Sequence, residues 1–176
     1  MTNLKPAIFV VPIIALLLCI IFYIFLLKKT SDKDSFKRFT LIVLVLAIIL
    51  NLTWELLQGP LYKGHSYNIK SIAICTLASV ADAVMVILIY FSFALIWKNP
   101  LWVQHFNRKR VILVMLVGFL GAIAAEVAHT SASSWAYNES MPLIPFVNVG
   151  LSPILQFAIL PILIYKISFF FVRRTS

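Results

Sequence analysis

Polar side chains recur at helical spacing at the end of a run that is otherwise apolar enough to lie in lipid. The run closes with NLTWELLQGPLY, in which Asn51, Glu55 and Gln58 follow one another at spacings of four and three residues, with Trp54 beside them. Residues at these spacings share one face of an α-helix. A carboxyl group flanked by amides can hold or transfer a proton, so this stretch is the first candidate site.

Two further carboxyl groups occur inside other apolar runs. Asp82 lies in ICTLASVADAVM, at three-residue spacing from Thr76 and Ser79, so the three form one polar stripe on a helix. Glu126 lies in GAIAAEVAH in a separate run. We expect the carboxyl groups of Glu55, Asp82 and Glu126 to converge in one bundle.

Glu126 belongs to a helix face made of small residues. Gly118, Ala122 and Glu126 are spaced by four, and small residues in that register let helices approach closely in lipid. Glu126 is therefore predicted to point into the bundle, with His129 one turn further along. Gln156 follows within the first turn or so of the last apolar run, for which Ser152 is the predicted N-cap.

Charge is costly at these positions. An ionised acidic residue at the centre of a membrane-spanning helix costs about 3 kcal/mol. Glu55, Asp82 and Glu126 are half of the six acidic residues of the chain, and Lys70, at the start of the third run, is the one Lys or Arg in the same half of an apolar run. We expect these groups to be protonated, hydrogen-bonded or in contact with water. A purely structural role, fixing the register of the helices, is the alternative.

The elements that must position these residues are membrane-spanning helices. The chain is 62% hydrophobic and 12% charged, which is outside the usual composition of soluble domains. Its apolar residues form five runs, each able to cross a hydrocarbon core of about 30 Å. The predicted fold is all-α, a polytopic bundle of five transmembrane helices forming one integral membrane domain over residues 1–176. The predicted spans are residues 8–27, 39–57, 69–97, 111–129 and 151–172.

The net charge of +9 is distributed asymmetrically between the connectors. Twelve cations lie on one side and three, Lys5, Lys63 and Lys70, on the other. The twelve are Lys28, Lys29, Lys33, Lys37, Arg38, Lys98, Arg108, Lys109, Arg110, Lys166, Arg173 and Arg174. The positive-inside rule then predicts a multi-pass protein with its N-terminus outside and its C-terminus inside, and we expect it in the inner or plasma membrane of the cell. The cations are expected to face lipid headgroups and not nucleic acid.

With this orientation the candidate residues lie in the outer half of the membrane. The outer loop between the last two spans contains Trp135 and Tyr137, which are predicted to line the mouth of the site. Its length and apolar content favour a lid or re-entrant segment, and a plain loop with an aromatic belt is the alternative. The segment KNPLWVQHFNRKR on the inner side has Trp102 and Phe106 beside cations, as expected of a segment at the membrane interface.

Sequence motifs for cofactors are not found. The chain has no H-x-x-x-H, C-x-x-C, P-loop or G-x-S-x-G pattern, so no metal ligand is predicted and any cofactor is unknown. Cys19 and Cys75 fall inside apolar runs, where free thiols usually behave as small hydrophobic groups. Neither a disulfide nor a redox site is predicted.

Three patterns together resemble those of a group of bacterial multi-span membrane proteins with no assigned activity. They are N-x-x-W-E-x-x-Q-x-P-L-Y, Ala-Ser-x-x-Asp-Ala, and W-x-Y-x-x-x-M-P-x-x-P followed by G-L-S-P-x-L-Q. The chain is more loosely similar to the membrane carotenoid cyclases and hydratases, although Pro153 is followed by Ile-Leu-Gln156 where those cyclases have an acidic pair. The looser likeness implies chemistry on a lipid or isoprenoid substrate.

The leading hypothesis is an integral membrane enzyme or binding protein for a lipid-soluble small molecule, with membrane lipids as its surroundings. Glu55 and Glu126 would act as general acid and base, and Asp82 would tune or relay the proton. The predicted substrate-binding residues are Asn51, Trp54, Gln58, His129, Trp135, Tyr137 and Gln156. Two alternatives stay open. One is a proton-coupled transporter or channel, which would be a homo-oligomer because five helices leave little room for a pathway. The other is an accessory subunit of a membrane complex.

Overall fold

The computed structural model describes residues 10–174 and is built from five long helices. They are α1 (Val10–Lys29), α2 (Lys33–Gln58), α3 (Ile69–Ile96), α4 (Arg108–Ser131) and α5 (Leu151–Arg174). Each is long and apolar enough to cross a membrane, so the prediction of an all-α, five-helix membrane bundle is confirmed. Lys5 and residues 8 and 9 of the first predicted span lie outside the described residues.

Side-chain caps explain where three of the helices begin. Asp32 accepts a hydrogen bond of 3.0 Å from the backbone N–H three residues on, and Asn68 and Asn107 do the same at the starts of α3 and α4. The N–H at Ser35 also lowers the pKa of the exposed Asp32 carboxyl. Because of its cap, α2 starts six residues before the apolar run that predicted it. The other end of α2 passes into a 3₁₀ turn at Gly59–Leu61, which contains Pro60.

The order of the helices in the bundle differs from their order in the chain. α3 packs against α1 and α2, α2 packs against α5, and α5 packs against α4. α3 and α4 touch only weakly, so the contacts among α2, α3, α4 and α5 are weakest between α3 and α4. α1 lies at the periphery, and its outward Ile and Leu side chains are exposed, as expected of a helix that faces lipid.

The close packing of α4 on α5 depends on Gly118. A Cβ atom at this position would lie 2.0 Å from the backbone oxygen of Phe157 on α5. Ala122 and Glu126, one and two turns on, are buried on the same face. The prediction that Glu126 lies on a small-residue packing face is therefore confirmed. Gly121 lies on another side of α4, where a Cβ atom would meet nothing within 4 Å.

Aromatic side chains fill the end of the bundle that carries the basic connectors. Trp102 is fully buried, and its indole N–H donates to the backbone oxygen of Tyr90 at 3.1 Å. Arg110 donates to the backbone oxygen of Trp102 at 2.7 Å, and its guanidinium lies 4.7 Å from the centre of the Trp97 ring. The 3₁₀ turn Trp102–His105 places the indole inside the bundle, where it finds a backbone acceptor, and the interfacial depth of this segment stays a prediction.

A short hairpin forms part of the loop between α4 and α5. Its strands are β1 (Leu143–Ile144) and β2 (Val149–Gly150), which pair antiparallel, and β2 runs directly into α5. Ile144 and Val149 pack with Ala122 of α4 and Ile154 of α5. The hairpin therefore belongs to the end of the α4–α5 pair, on the side of the bundle away from the basic connectors.

Candidate functional site

The predicted site residues meet at the end of the bundle formed by the C-terminal ends of α2 and α4 and the N-terminal end of α5. We call this the site end. Asn51, Glu55 and Gln58 lie in the last turns of α2, Glu126 lies near the end of α4, and Gln156 lies in the second turn of α5. Asp82 is in the middle of α3. Successive helices run in opposite directions, so the end of α2, the end of α4 and the start of α5 lie at the same end of the bundle.

Gln156 is the centre of the hydrogen-bond network. Its amide nitrogen donates to Asn51 Oδ1 at 2.9 Å and to Asp82 Oδ2 at 3.0 Å. Its amide oxygen accepts from Gln58 Nε2 at 3.1 Å. Gln156 is 1% exposed, so all of these bonds lie inside the bundle and join α2, α3 and α5.

The network continues along α2 through Gln58. The Gln58 amide nitrogen also donates to Glu55 Oε1 at 2.6 Å, and the amide oxygen accepts from the hydroxyl of Ser152 at 2.8 Å. The Ser152 hydroxyl in turn accepts from the indole N–H of Trp54 at 3.2 Å. Trp54 thus reaches the site through its indole nitrogen, and its ring packs against the hydrophobic core.

Glu55 and Asp82 form a pair of carboxyl groups within hydrogen-bonding distance of each other. A hydrogen bond between two carboxyl groups needs a proton on one of them. The other donors to the pair are the neutral amides of Gln58 and Gln156. The arrangement therefore brings two carboxyl groups together among uncharged donors, and a hydrogen bond between them would place one proton on the pair.

Glu126, on α4, has hydrogen-bond donors of its own, separate from those of the Glu55–Asp82 pair. Its Oε2 atom accepts from the indole N–H of Trp135 at 3.2 Å and from the hydroxyl of Tyr137. His129 does not join this carboxyl; its ring stacks on Trp135 with 4.2 Å between the ring centres. Trp135 and Tyr137, predicted at the mouth of the site, are thus bonded directly to the carboxyl group that they cover.

The loop that carries these two donors is held to the end of α2. Tyr62 and Tyr137 pair as an isolated antiparallel β-bridge, with backbone hydrogen bonds from Lys63 to Ala136 at 2.9 Å and from Asn138 to Leu61 at 2.8 Å. The segment therefore covers the site end of the bundle. It holds the ring of Tyr137 next to Glu126.

Tyr62 is the residue of this site that sequence reasoning missed. Its ring lies 5.6 Å from that of Tyr137 and 6.4 Å from that of Trp135, measured between ring centres. Burial raises the pKa of the Tyr62 phenol, and the charges of Glu126 and Glu55 raise it further. Tyr62 is the last residue of the NLTWELLQGPLY stretch, so its closeness to Glu55 in sequence was a usable signal.

Tyr137 is also kept neutral by its surroundings. Burial raises the pKa of its phenol, and the hydrogen bond to Glu126 acts in the same direction. A neutral phenol keeps its proton and can donate it to a carboxylate oxygen. Both tyrosines can therefore serve as hydrogen-bond donors over the whole neutral range of pH.

Three hydroxyl groups near the site have partners other than the carboxyl groups. Ser152 is not the N-cap of α5, because the helix begins at Leu151 and the Ser152 hydroxyl turns to Gln58 instead. Thr76 and Ser79 share a stripe with Asp82, but their hydroxyls donate to backbone oxygens of their own helix at 2.9 and 2.7 Å. Carbonyl groups one turn back are the nearest acceptors for such side chains in a helix.

Within residues 10–174, no group of three or more His, Cys, Asp or Glu side chains is arranged to hold a metal ion. The carboxyl, amide and phenol groups of the site can exchange protons and form hydrogen bonds. Free Cys75 is the closest other reactive group; its thiol lies 3.8 Å from the backbone oxygen of Glu55.

Comparison with known proteins assigns this chain to no family. No family model matches it, and neither a curated protein nor a solved structure matches it. The resemblance to bacterial multi-span proteins and to carotenoid cyclases therefore stays a prediction. Function has to be argued from the side chains at the site end.

Proposed function

We propose that this integral membrane protein acts by acid/base chemistry on a lipid-soluble substrate, a lipid or an isoprenoid, at the site end of its bundle. The observation that carries the proposal is the Glu55–Asp82 pair, in which two carboxyl groups lie within hydrogen-bonding distance of each other between neutral amides. A purely structural clasp could be built from amides alone and would not require a carboxyl pair. A shared proton in an apolar bundle is a group ready to be given to a substrate.

The contacts suggest different roles for the three carboxyl groups. Asp82 is held by Gln156 from α5, which favours a fixed, relaying role. Glu55 lies on the last turn but one of α2, closer to the covering loop, and is the proposed donor of the proton. Glu126 is supplied with hydrogen bonds by Trp135 and Tyr137, which stabilise an anion and suit it to act as the base.

Substrate orientation is assigned to the amides and the aromatic side chains. Asn51, Gln58 and Gln156 present fixed dipoles to the carboxyl pair. The rings of Trp135, Tyr137 and Tyr62 lie together at the covered end, next to Glu126. Aromatic rings beside a proton donor can pack against a hydrocarbon chain or an isoprenoid double bond.

The weak contact between α3 and α4 is the proposed route of entry. The other neighbouring helices are closely packed: α2 packs on α3, α2 on α5, and α4 on α5. A substrate dissolved in the bilayer would reach the carboxyl groups laterally between α3 and α4. The charge distribution favours an orientation in which this end of the bundle faces away from the cytoplasm.

The test is a comparison of complete lipid and pigment profiles, by mass spectrometry, in cells that lack the gene. The cells carry an empty vector, the wild type or Glu55→Gln. The variant keeps an oxygen that can accept the hydrogen bond from Gln58 but has no acidic proton to give. We expect a lipid species that appears or disappears with the wild type and not with Glu55→Gln. Identical profiles for the wild type and the empty vector would refute the proposal.

A proton-coupled transporter is the second candidate, because Asp82 lies in the middle of α3 and intramembrane carboxyl groups often mark proton routes. Against it, aromatic side chains fill the bundle between Asp82 and the basic end, with Tyr90, Trp102 and Tyr165 buried together. This favours a site that is closed on one side. Proton flux into liposomes that Asp82→Asn abolishes would decide for transport.

A further inference from the structure

The hairpin between α4 and α5 has an apolar tip that no part of the described chain covers. Phe146 is fully exposed, and Leu143 and Val147 are exposed to more than a third. The stretch MPLIPFVNVGL has Asn148 as its single polar side chain. Such a cluster of large apolar groups at the end of a compact hairpin indicates a surface that meets an apolar partner.

The conformation of the tip is specific. Phe146 and Asn148 have φ angles of 73° and 52°, in the left-handed region. Asn often takes this conformation, whereas a large aromatic residue there is strained. The turn is closed by a backbone hydrogen bond of 3.0 Å from Asn148 to Ile144. A strained and fully exposed ring is a poor solution in water, and burial of the ring in another phase would offset the cost.

The position of the hairpin indicates that the apolar phase is the lipid bilayer. β2 ends at Gly150 and α5, a helix able to cross a membrane, begins at Leu151. The backbone of Leu151 also bonds to Pro142 at 2.8 Å, which fixes the hairpin at the end of the helix. The tip must therefore lie within a few residues of the membrane surface. Its face opposite Phe146 is already used, because Ile144 and Val149 pack on α4 and α5.

We propose that the hairpin tip, residues 143–147, inserts into the headgroup–acyl boundary of the leaflet at the site end and anchors the loop that covers the site. Insertion is shallow, since turn backbone needs polar partners that the hydrocarbon core does not supply. The anchor reaches the site through Gly150, where a Cβ atom would lie 3.0 Å from the ring of Tyr137. Tyr137 in turn donates to Glu126. This proposal does not depend on the proposed enzymatic function.

The experiment places a reporter at the tip of the full-length protein in lipid nanodiscs, where both membrane faces are accessible. Phe146→Cys is labelled with an environment-sensitive NBD dye in a Cys19→Ala, Cys75→Ala background. Glu139→Cys, an exposed polar position in the same covering loop, is the matched control. We expect blue-shifted emission at position 146, strong quenching by brominated lipids and weak quenching by iodide, and the reverse at position 139.

Equal quenching by iodide at positions 146 and 139 would overturn the proposal. Shielding of position 146 from both quenchers would also overturn it, because the tip would then be covered by protein, either a partner or a second copy. If the background without cysteines does not fold, Phe146→Cys and Glu139→Cys are made in the native chain, whose two thiols are buried. The rate of reaction with a membrane-impermeant maleimide is then expected to be several-fold lower at position 146, and equal rates would contradict insertion.

Discussion

At the scale of single residues, Gln156 decides whether the site is one network. One amide joins Asn51, Gln58 and Asp82, which lie on two other helices. The sequence predicts Gln156 as a member of the polar cluster because it lies near the start of an apolar run. Its central place was not predictable, since the partners of an amide depend on how the helices are rotated.

Gln156→Leu keeps the volume of the side chain and removes every hydrogen bond that it makes. Because buried partners are left unpaired, we expect a loss of about 1–3 kcal/mol or more in the free energy of unfolding. The measurement is thermal unfolding of the purified protein in detergent micelles. Ser168→Ala is the control, as the Ser168 hydroxyl is buried without a partner and its removal should be neutral or stabilising. Equal losses in the two variants would contradict the role given to Gln156.

The two phenols at the site end predict a dependence on alkaline pH. Burial raises the pKa of Tyr62 and Tyr137 above the ordinary value of about 10. Neutral phenols are thus favoured in the folded state, and their contribution is complete below pH 10 and falls as pH rises through the raised values. We expect the Tyr62→Phe, Tyr137→Phe double variant to keep a larger share of its neutral-pH thermal stability at pH 11 than the wild type does. The same alkaline loss in both proteins would show that other groups control it.

At the scale of elements, the sequence predicts the five helices and leaves their ends and neighbours open. Apolar runs reveal which residues lie in lipid, but Asp32 starts α2 ahead of its run and Trp102 turns inward through a 3₁₀ turn. Capping and burial of an indole are decided by local partners that a hydropathy pattern does not contain. The α4 packing face was predictable, because spacing by four places Gly118, Ala122 and Glu126 on one side.

The α4–α5 contact can be tested with two glycines of the same helix. Gly118→Ala would place a Cβ atom 2.0 Å from the Phe157 backbone oxygen, so the helices must separate and Glu126 must move with α4. We expect a clearly lower thermal stability and weaker activity in the lipid-profile assay. Gly121→Ala has open space and gains helix propensity of up to about 1 kcal/mol. Comparable stability of the two variants would contradict the packing described here.

At the scale of the whole molecule, the two ends of the bundle differ in chemistry. The site end carries the acidic cluster under a loop, and the other end carries the basic connectors over a buried aromatic cluster. The charge asymmetry was readable from sequence, whereas the aromatic packing was not, because its members come from α2, α3, α5 and the turn before α4. This packing supports a site that opens from one side.

The predicted orientation can be measured in intact cells with a membrane-impermeant maleimide. Glu139→Cys lies in the loop at the site end, and Lys29→Cys lies at the end of α1 that carries the basic connectors. We expect rapid labelling at position 139 and protection at position 29 until the cells are permeabilised. The native thiols are buried and serve as the internal background. Labelling at position 29 and not at position 139 would show that the orientation is the reverse of the predicted one.

The central claim is that the site end transforms a lipid-soluble molecule with the help of Glu55. In the most direct measurement, purified protein is incubated in vesicles made from the lipids of cells that lack the gene. Those lipids are then followed by mass spectrometry. We predict that one species is consumed and another is formed with the wild type and not with Glu55→Gln. Unchanged lipids in the presence of folded wild-type protein would contradict the account and favour transport or assembly.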